Sequence, residues 1–132
     1  MGLKNMSLTA NGTVSVTGGA AVVYADDGVT IQNGVHLIVP ADANYQTRRS
    51  ATVKYRPPSF DVKTSTFGKD KKTVSMTFPI LVDGQVKFNT FRLEREIHPA
   101  TTAEQAAEIN SLAAQILTSS GPVGFWATGS LS

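Results

Sequence analysis

The sequence predicts an α+β fold in which an antiparallel sheet is followed by one long helix. Three segments with strand-like patterns occupy the middle of the chain: Ser50–Arg56, Lys71–Ile80 and Val86–Ile97. Apolar residues then recur at three- and four-residue spacing from about Thr102 to Leu117, which indicates an amphipathic helix. The turn pair Asp83-Gly84 separates the last two strands and predicts that they pair antiparallel, as in a meander.

The first 40 residues predict short strands joined by turns. Asn11-Gly12 is a strong two-residue turn signal between Leu3–Ala10 and Thr13–Thr17, so an N-terminal β-hairpin is expected over residues 1–18. A third short apolar run, Ala20–Ala25, follows. Two further turn signals each precede a short strand-like segment: Asp26-Asp27-Gly28 before Val29–Gln32, and Asn33-Gly34 before Val35–Val39. The sheet is therefore expected to span residues 20–97.

The longer strands alternate between apolar and polar residues. Ser50–Arg56 alternates in this way until Pro57-Pro58 ends it, because proline has no N–H to donate to a ladder. In Lys71–Ile80, one set of alternate residues is apolar: Val74, Met76 and Phe78. The opposite set is basic or carries hydroxyl groups: Lys71, Thr73, Ser75 and Thr77. A sheet with one apolar face and one basic, hydroxyl-rich face is typical of a binding surface.

The last strand keeps this alternation except at its beginning. Phe91, Leu93 and Ile97 share one face, and the other face carries Thr90, Arg92, Glu94 and Glu96. Val86 and Phe88 fall on the polar side. This predicts either a bulge near Asn89 that shifts the phase, or a strand end that is buried on both sides.

The helix has a start signal and an apolar stripe. Pro99 precedes it, and a capping box is formed either by Thr101 with Glu104 or by Thr102 with Gln105. The stripe consists of Ala106, Ile109, Leu112, Ala113, Ile116 and Leu117.

A stop signal, Ser119-Ser120-Gly121-Pro122, ends the helix. The apolar tail Val123–Trp126 then predicts a short second helix or a docking turn. The helical region is accordingly expected over residues 101–126.

Composition limits the classes of protein that this chain can belong to. Its 132 residues are enough for a single domain, 1–132, and its net charge of +2 permits a polyanionic partner without requiring one. The absence of cysteine excludes disulfides, thiol catalysis and zinc–thiolate sites. No apolar run reaches the roughly 18–20 residues that span a membrane. His36 and His98 lack the spacing of a metal pair, so we expect no bound metal. Taken together, these observations lead us to expect no cofactor, no membrane or small-molecule partner, and no enzymatic activity.

One helix cannot cover the apolar face of such a sheet. Five strands make a sheet roughly 24 Å wide, whereas a helix is only about 10 Å across. A single copy would leave apolar residues such as Phe91 and Leu93 exposed to water. A second copy that completes the cover is the simplest solution, so a homodimer is expected.

Basic residues are concentrated on segments that are expected to be neighbours in the sheet: Arg48, Arg49, Lys54, Arg56, Lys69, Lys71 and Lys72. Such residues can simply keep a strand face solvated and prevent aggregation. Nucleic-acid contact is about equally compatible with the pattern. The threonines and serines between the cations favour it slightly, because hydroxyl groups and cations together suit phosphate and sugar contacts.

Several stretches give the chain a resemblance to a known family: Thr52–Pro58, Lys72–Pro79, Val82–Gly84, Phe88–Glu94 and Phe125–Ser130. In type and in order they resemble the coat protein of the small single-stranded RNA bacteriophages, over residues 50–132. The resemblance implies an intertwined homodimer that shares one continuous sheet, with helices interlocked across its outer face. Dimers would build an icosahedral virion capsid in the cytoplasm of the bacterial host.

The resemblance also implies where the partners bind. Single-stranded genomic RNA would bind the polar sheet face, and capture of an RNA hairpin there would repress translation. The implied RNA-binding residues are Thr52, Lys54, Arg56, Lys71, Thr73, Ser75, Thr77, Thr90, Arg92 and Glu94. The implied dimer interface is Phe91, Leu93, Ala106, Ile109, Leu112, Ala113 and Ile116. Contacts between dimers would involve the hairpin residues Val82, Asp83, Gly84 and Gln85.

Two features differ from the family pattern. Thr90 occupies the position at which well-studied members place a tyrosine that stacks on a base, and the Leu81–Gln85 hairpin is much shorter than the corresponding loop. A dimeric sheet-based RNA-binding regulator that forms no shell remains the alternative. Uniform particles in electron micrographs of the purified protein would distinguish a coat protein from such a regulator.

Overall fold

A five-stranded antiparallel sheet carries most of the regular structure between residues 20 and 99; its strands, in spatial order, are Ala25–Ile31 (β1), Gly34–Ile38 (β2), Ser50–Arg56 (β3), Asp70–Val82 (β6) and Gln85–Ile97 (β7). The computed structural model describes residues 3–16, 18–118 and 121–131. The chain divides into two compact units, Met1–Gly19 with Ala100–Ser132, and Ala20–Pro99. The antiparallel sheet and the C-terminal helices confirm the α+β prediction, while a single domain over 1–132 stays a prediction.

A separate two-stranded sheet pairs β4 Phe60–Asp61 with β5 Thr66–Phe67 in the segment between β3 and β6. The Phe60 and Phe67 rings lie 5.1 Å apart between centroids across this small sheet. Among the described residues, no helix is long and apolar enough to cross a membrane.

The β6–β7 hairpin confirms its predicted turn. Asp83 and Gly84 both have positive φ, 51° and 78°, as a type I′ turn requires. Thirteen residue pairs then follow without a shift, from Val82 opposite Gln85 to Asp70 opposite Ile97. A two-residue turn fixes the register from its first pair, so the predicted bulge near Asn89 is wrong. The predicted burial of that strand end on both sides is also wrong, since Phe88 is 66% exposed.

The Asp26-Asp27-Gly28 signal is a bulge within β1 and not the predicted turn. Asp26 lies opposite Leu37 and Thr30 opposite Val35, so three residues of β1 face one residue of β2. Gly28 has a φ of 81°, and the Asp26 carboxylate accepts its N–H at 2.9 Å. The turn-forming residues Asp26-Asp27-Gly28 therefore produce a bulge, and β1 continues beyond it.

Ala25 is the only residue of the predicted strand Ala20–Ala25 that is in a strand. It pairs with Ile38, the last residue of β2. The chain turns away at Pro40, which has no N–H to donate. Earlier residues of the run therefore have no β2 residue with which to pair.

Gly34 is the first residue of β2, because the turn forms one residue earlier than predicted. The turn uses Gln32 and Asn33, with a φ of 56° at Asn33, and Ile31 pairs with Gly34. A Cβ built on Gly34 would lie 2.5 Å from the Val53 carbonyl oxygen. The glycine is required here by the close approach of β3.

The predicted N-terminal hairpin is wrong for the described residues. Residues 3–16 contain a 3₁₀ helix, Leu3–Asn5, and no strand; Thr17, at the end of the predicted hairpin, lies outside the described residues. The turn closes one residue early, with the Gly12 N–H donating to the Thr9 carbonyl at 3.0 Å. Asn11, with a φ of 61°, is therefore the residue of this turn that adopts the left-handed conformation, and Gly12 does not need to adopt it.

A glutamine of the long helix takes the place of the missing hairpin partner. Gln115 accepts the Thr9 N–H at 2.8 Å and donates to the Thr9 carbonyl at 2.7 Å. Ser111 also donates to the Gly12 carbonyl. The backbone of the N-terminal segment is therefore satisfied by side chains, which removes the need for a strand ladder.

The two predicted helices are present as α1, Ala103–Thr118, and α2, Val123–Thr128. Of the two predicted capping boxes, Thr102 with Gln105 forms: each side chain accepts the other residue's N–H, at 3.2 and 3.0 Å. The predicted stop includes Ser119 and Ser120, which lie outside the described residues. The Trp126 indole N–H donates to the Ile116 carbonyl at 2.9 Å, which ties α2 to α1.

The loop between β2 and β3 is organised by Asp42. Its carboxylate accepts the Arg49 guanidinium at 2.8 and 3.0 Å and the Arg49 N–H at 3.0 Å. Its carbonyl accepts the Arg48 Nε–H at 2.9 Å. These bonds, with the Arg49 side-chain bond dominant, lower the pKa of Asp42 from its ordinary 3.8 to about 2. Charge-assisted bonds of this kind hold the loop in one geometry.

We expect Gly34→Ala to destabilise the sheet by about 1–3 kcal/mol, the usual range for overpacking. The added methyl group would meet the Val53 carbonyl, and backbone cannot move aside as a side-chain end can. Gly68→Ala is the matched control, because the nearest atom to its Cβ is 3.6 Å away. Urea unfolding of both variants measures the difference. Equal midpoints would contradict the close approach.

The lowered pKa of Asp42 predicts a specific pH dependence. Its charged form is favoured in the folded state, so its contribution to stability is complete above about pH 4 and is lost as the pH falls from 3.8 towards 2. NMR titration of the Asp42 carboxyl should give a pKa near 2, and Arg49→Met should raise it towards the ordinary value. An ordinary pKa in the parent protein would exclude the ion pair.

Candidate nucleic-acid interface

One face of the main sheet, called the polar face below, collects the polar residues of three strands in register. Its cross-strand rows, read from β3 through β6 to β7, are Arg56–Lys71–Glu96, Lys54–Thr73–Glu94, Thr52–Ser75–Arg92 and Ser50–Thr77–Thr90. Because side chains alternate along a strand, a register without shifts keeps all of these on one side. All ten residues predicted to bind RNA lie on this face.

Seven of the ten line a single groove of about 450 Å³, called the central groove below: Thr52, Lys54, Lys71, Thr73, Ser75, Arg92 and Glu94. Arg56 lines an adjoining groove of about 480 Å³ that also includes Lys54 and Lys71. Thr77 lines a third and larger cavity, and Thr90 lies opposite Thr77. The structure therefore brings most of the predicted residues together and leaves Thr77 and Thr90 at one end.

The charge in the central groove is positive but partly compensated. Lys54, Lys71 and Arg92 are cationic, and Glu94 is the single acid among its lining residues. Glu94 forms an ion pair with Lys71 across a diagonal of the β6–β7 ladder. This contact holds the lysine ammonium in the groove and reduces the net positive charge of the groove. Cations and hydroxyl groups so arranged can bind phosphate and ribose oxygens.

His36 extends the polar face onto β2, although it is not among the residues predicted to bind RNA. It lies opposite Thr52 and faces the β1 bulge, where its Nδ1 donates to the Asp27 carboxylate. The Val29 N–H bond and then the His36 bond lower the pKa of Asp27. The strand period of β2 could have placed His36 on this face had the register with β3 been known.

The seven clustered basic residues separate into different environments. Lys54, Arg56 and Lys71 lie on the polar face. Lys72 faces the other way, 5.5 Å from the Tyr55 ring centroid. Arg49 is held by Asp42, and Arg48 lies 4.4 Å from the Tyr45 ring centroid. Lys69 lies just before β6. The prediction that β3 and β6 are neighbours is confirmed. The closeness of these basic residues in the sequence did not predict which of them lie on the same face.

The residues predicted for subunit contacts occupy three places. Phe91 and Leu93 lie opposite Met76 and Val74 on the apolar face of the sheet. The α1 residues Ala106, Ile109, Leu112, Ala113 and Ile116 are all at least partly exposed. Val82–Gln85 forms the tip of the β6–β7 hairpin. Their roles in subunit contacts stay predictions.

No group of three or more His, Asp or Glu side chains that could hold a metal ion occurs within residues 3–16, 18–118 and 121–131. The polar face instead presents hydroxyl groups, ammonium and guanidinium groups and two glutamates. This set of groups is suited to binding a polyanion.

Comparisons with known proteins agree with this architecture. No family model matches the chain, and no curated protein sequence matches it. Among solved structures, the virus-like particle of bacteriophage GQ-907 has a subunit that is 32% identical, with a TM-score of 0.91 over 98% of this chain and 99% of that one.

Two more distant structures share the fold. The virus-like particle of bacteriophage AVE019 is 13% identical with a TM-score of 0.70, over 96% of this chain and 99% of that chain. The virus-like particle of Beihai levi-like virus 21 is 12% identical with a TM-score of 0.58, over 87% and 98%.

The likeness to the bacteriophage GQ-907 subunit runs over nearly the whole of both chains at an identity that shows common family membership. The strands, the long capped helix and the short second helix are those expected from the resemblance in residues 50–132. The chain belongs to the levi-like coat proteins of the single-stranded RNA bacteriophages and has a structural role in the virion capsid.

Proposed function

We propose that this coat protein dimerises, assembles into an icosahedral shell and packages single-stranded RNA against the polar face. The central groove is the observation that carries the RNA part of the proposal, because it gathers seven predicted contact residues in one place. The printed description of the bacteriophage GQ-907 structure as a virus-like particle supports shell formation. Assembly would take place in the cytoplasm of the bacterial host.

The exposure of apolar side chains supports dimerisation. Val39 and Ala51 are the only buried members of the hydrophobic core in the described part of the chain, besides the enclosed ring of Pro122. Large apolar side chains are exposed on the sheet and on α1, among them Val53 at 36%, Leu93 at 42% and Ile109 at 44%. Partner copies would bury this surface.

The edges of the sheet differ in their fitness for pairing. β1 is short and bulged, features that protect an edge from a second chain. β7 is the other edge strand, and its thirteen residues run in register without a bulge or a proline. Antiparallel pairing of β7 with β7 of a second copy would join two sheets into one. The polar faces would then be continuous across the dimer.

RNA binding would rest mainly on phosphate contacts. Lys54, Arg56, Lys71 and Arg92 provide charge, while the threonine and serine hydroxyls between them can bond to sugar and phosphate oxygens. Glu94 and Glu96 would limit the affinity, so the RNA would not be held irreversibly. Phosphate contacts carry no sequence information, so one coat protein could bind RNA of many sequences. Capture of a hairpin in the same grooves would repress translation, as the resemblance implies.

The hairpin tip at Val82–Gln85 would contact neighbouring dimers. Its side chains are exposed, and its type I′ turn gives it a defined shape. A short tip leaves less surface for contacts between dimers than a long loop would. Shell formation would therefore depend on other surfaces as well.

Dimerisation predicts that Ile109→Asp and Ile116→Asp prevent assembly. Each change would place a carboxylate where the second subunit should pack, a burial that costs several kcal/mol, roughly 2–7 for a polar group. Ala107→Asp, an exposed position beside the stripe, is the matched control and should dimerise. Analytical ultracentrifugation measures the result. A folded Ile109→Asp dimer with the stability of the parent would contradict an interface on this stripe.

The RNA proposal predicts that replacing Lys54, Arg56, Lys71 and Arg92 by alanine yields shells that are emptier or fewer. Each lost phosphate contact should reduce the salt slope of RNA binding by about one. The control variant replaces Lys4, Lys63, Lys72 and Lys87 and has the same net charge.

The measurements are the ratio of absorbance at nucleic-acid and protein wavelengths, the salt dependence of RNA binding, and negative-stain microscopy. The control variant should package RNA as the parent does. If both variants package equally well, the polar face is only a solvated surface. RNA-binding dimers that never form particles would favour the regulator.

A further inference from the structure

A cavity of about 720 Å³ opens on the polar face beside the central groove, called the aromatic cavity below. Its lining includes His36, Ser50, Thr77 and Phe88 on the sheet, and Tyr45 and Arg48 from the loop between β2 and β3. Asp27, which is paired with His36, is the acidic residue of the lining. The strand residues continue the rows of the central groove, since Thr77 follows Ser75 on the same face of β6. Two residues along a strand correspond to roughly 7 Å, so the two concavities adjoin.

The walls of the aromatic cavity combine flat rings with polar groups. Tyr45 is 83% exposed and Phe88 is 66% exposed, an unusual degree for aromatic side chains that share one concave surface. The Arg48 guanidinium lies 4.4 Å from the centroid of the Tyr45 ring. Rings and guanidinium planes of this kind are the surfaces on which proteins stack unpaired bases.

The loop that carries Tyr45 has a defined geometry. The Asn44 side chain accepts the Gln46 N–H at 2.9 Å, and the Asn44 carbonyl accepts the Thr47 N–H at 3.2 Å. Asp42 holds Arg48 through its carbonyl and Arg49 through its carboxylate. An exposed aromatic ring on such a loop loses little further conformational freedom on binding.

We propose that the aromatic cavity binds an unstacked base of single-stranded RNA, with the base stacked on Tyr45 next to Arg48. The inference rests on the proposed RNA-packaging function and adds a base-binding subsite to it. The phosphates that flank the bound base would extend onto the cations of the central groove. The hydroxyl groups of Ser50 and Thr77 and the His36 ring supply hydrogen-bonding groups for the edge of the base.

The test compares two ligands of equal length and charge: a single-stranded oligoribonucleotide and its abasic counterpart, which has the sugar–phosphate backbone but no bases. The parent protein, Tyr45→Leu and Tyr45→Phe are each prepared as the full chain. Tyr45→Leu should weaken binding of the oligoribonucleotide by roughly five- to 150-fold, the range that corresponds to loss of one base–aromatic stack. Its binding of the abasic ligand should not change. Tyr45→Phe, which keeps the ring, should bind both ligands as the parent does.

A fluorescent base analogue in the oligoribonucleotide gives a second measurement. Stacking should quench its emission in the parent and in Tyr45→Phe but not in Tyr45→Leu. Equal oligoribonucleotide affinity in the parent and Tyr45→Leu, or an equal loss for both ligands, would overturn the base-binding subsite while RNA binding by the central groove stands. A parent that binds neither ligand would overturn the proposed function itself, and the subsite with it.

Discussion

The unbroken pairing of β6 with β7 is the constraint on which both functional faces depend. The type I′ turn at Asp83 and Gly84 fixes the first of thirteen pairs, and the register does not shift along them. A slip of one residue would move every hydroxyl and cationic side chain of one strand to the other face. One local turn therefore sets the composition of the polar face and of the apolar face together, so the proposed RNA contacts and the proposed subunit contacts depend on the same register.

The same arrangement leaves apolar surface that the proposed dimer would bury. On the apolar face Val53 and Leu93 are exposed, at 36% and 42%, while Val74, Met76 and Phe91 are half-buried. In the described part of the chain Val39 and Ala51 make up the buried hydrophobic core, so full burial of apolar side chains within one copy gives limited hydrophobic stabilisation. Coat-protein stability would then be coupled to assembly, because association buries the surface that intramolecular folding leaves open.

Local electrostatics organise the margins of the binding surface. The Arg49 guanidinium lowers the pKa of Asp42 to about 2, and this ion pair defines the loop that positions Tyr45. Glu94 performs a related role in the central groove, where it holds Lys71 in place. In both places an acidic residue reduces net positive charge but fixes the geometry of a cation, so the polar face has moderate charge with ordered contact groups.

The sequence by itself determined the elements whose signals are local. Period-two alternation, Asp83-Gly84 and the Thr102–Gln105 cap predicted β3, the β6–β7 hairpin and α1 to within about two residues, and with them the membership of the polar face. Tertiary structure decided the rest, because those features depend on a distant partner. Asp26-Asp27-Gly28 became a bulge only when paired with β2, and the Asn11 region lost its hairpin because Gln115 bonds to the Thr9 backbone. The aromatic cavity likewise needed Tyr45 and Phe88, 43 positions apart in the sequence, to meet on one face, and no local pattern specifies such a meeting.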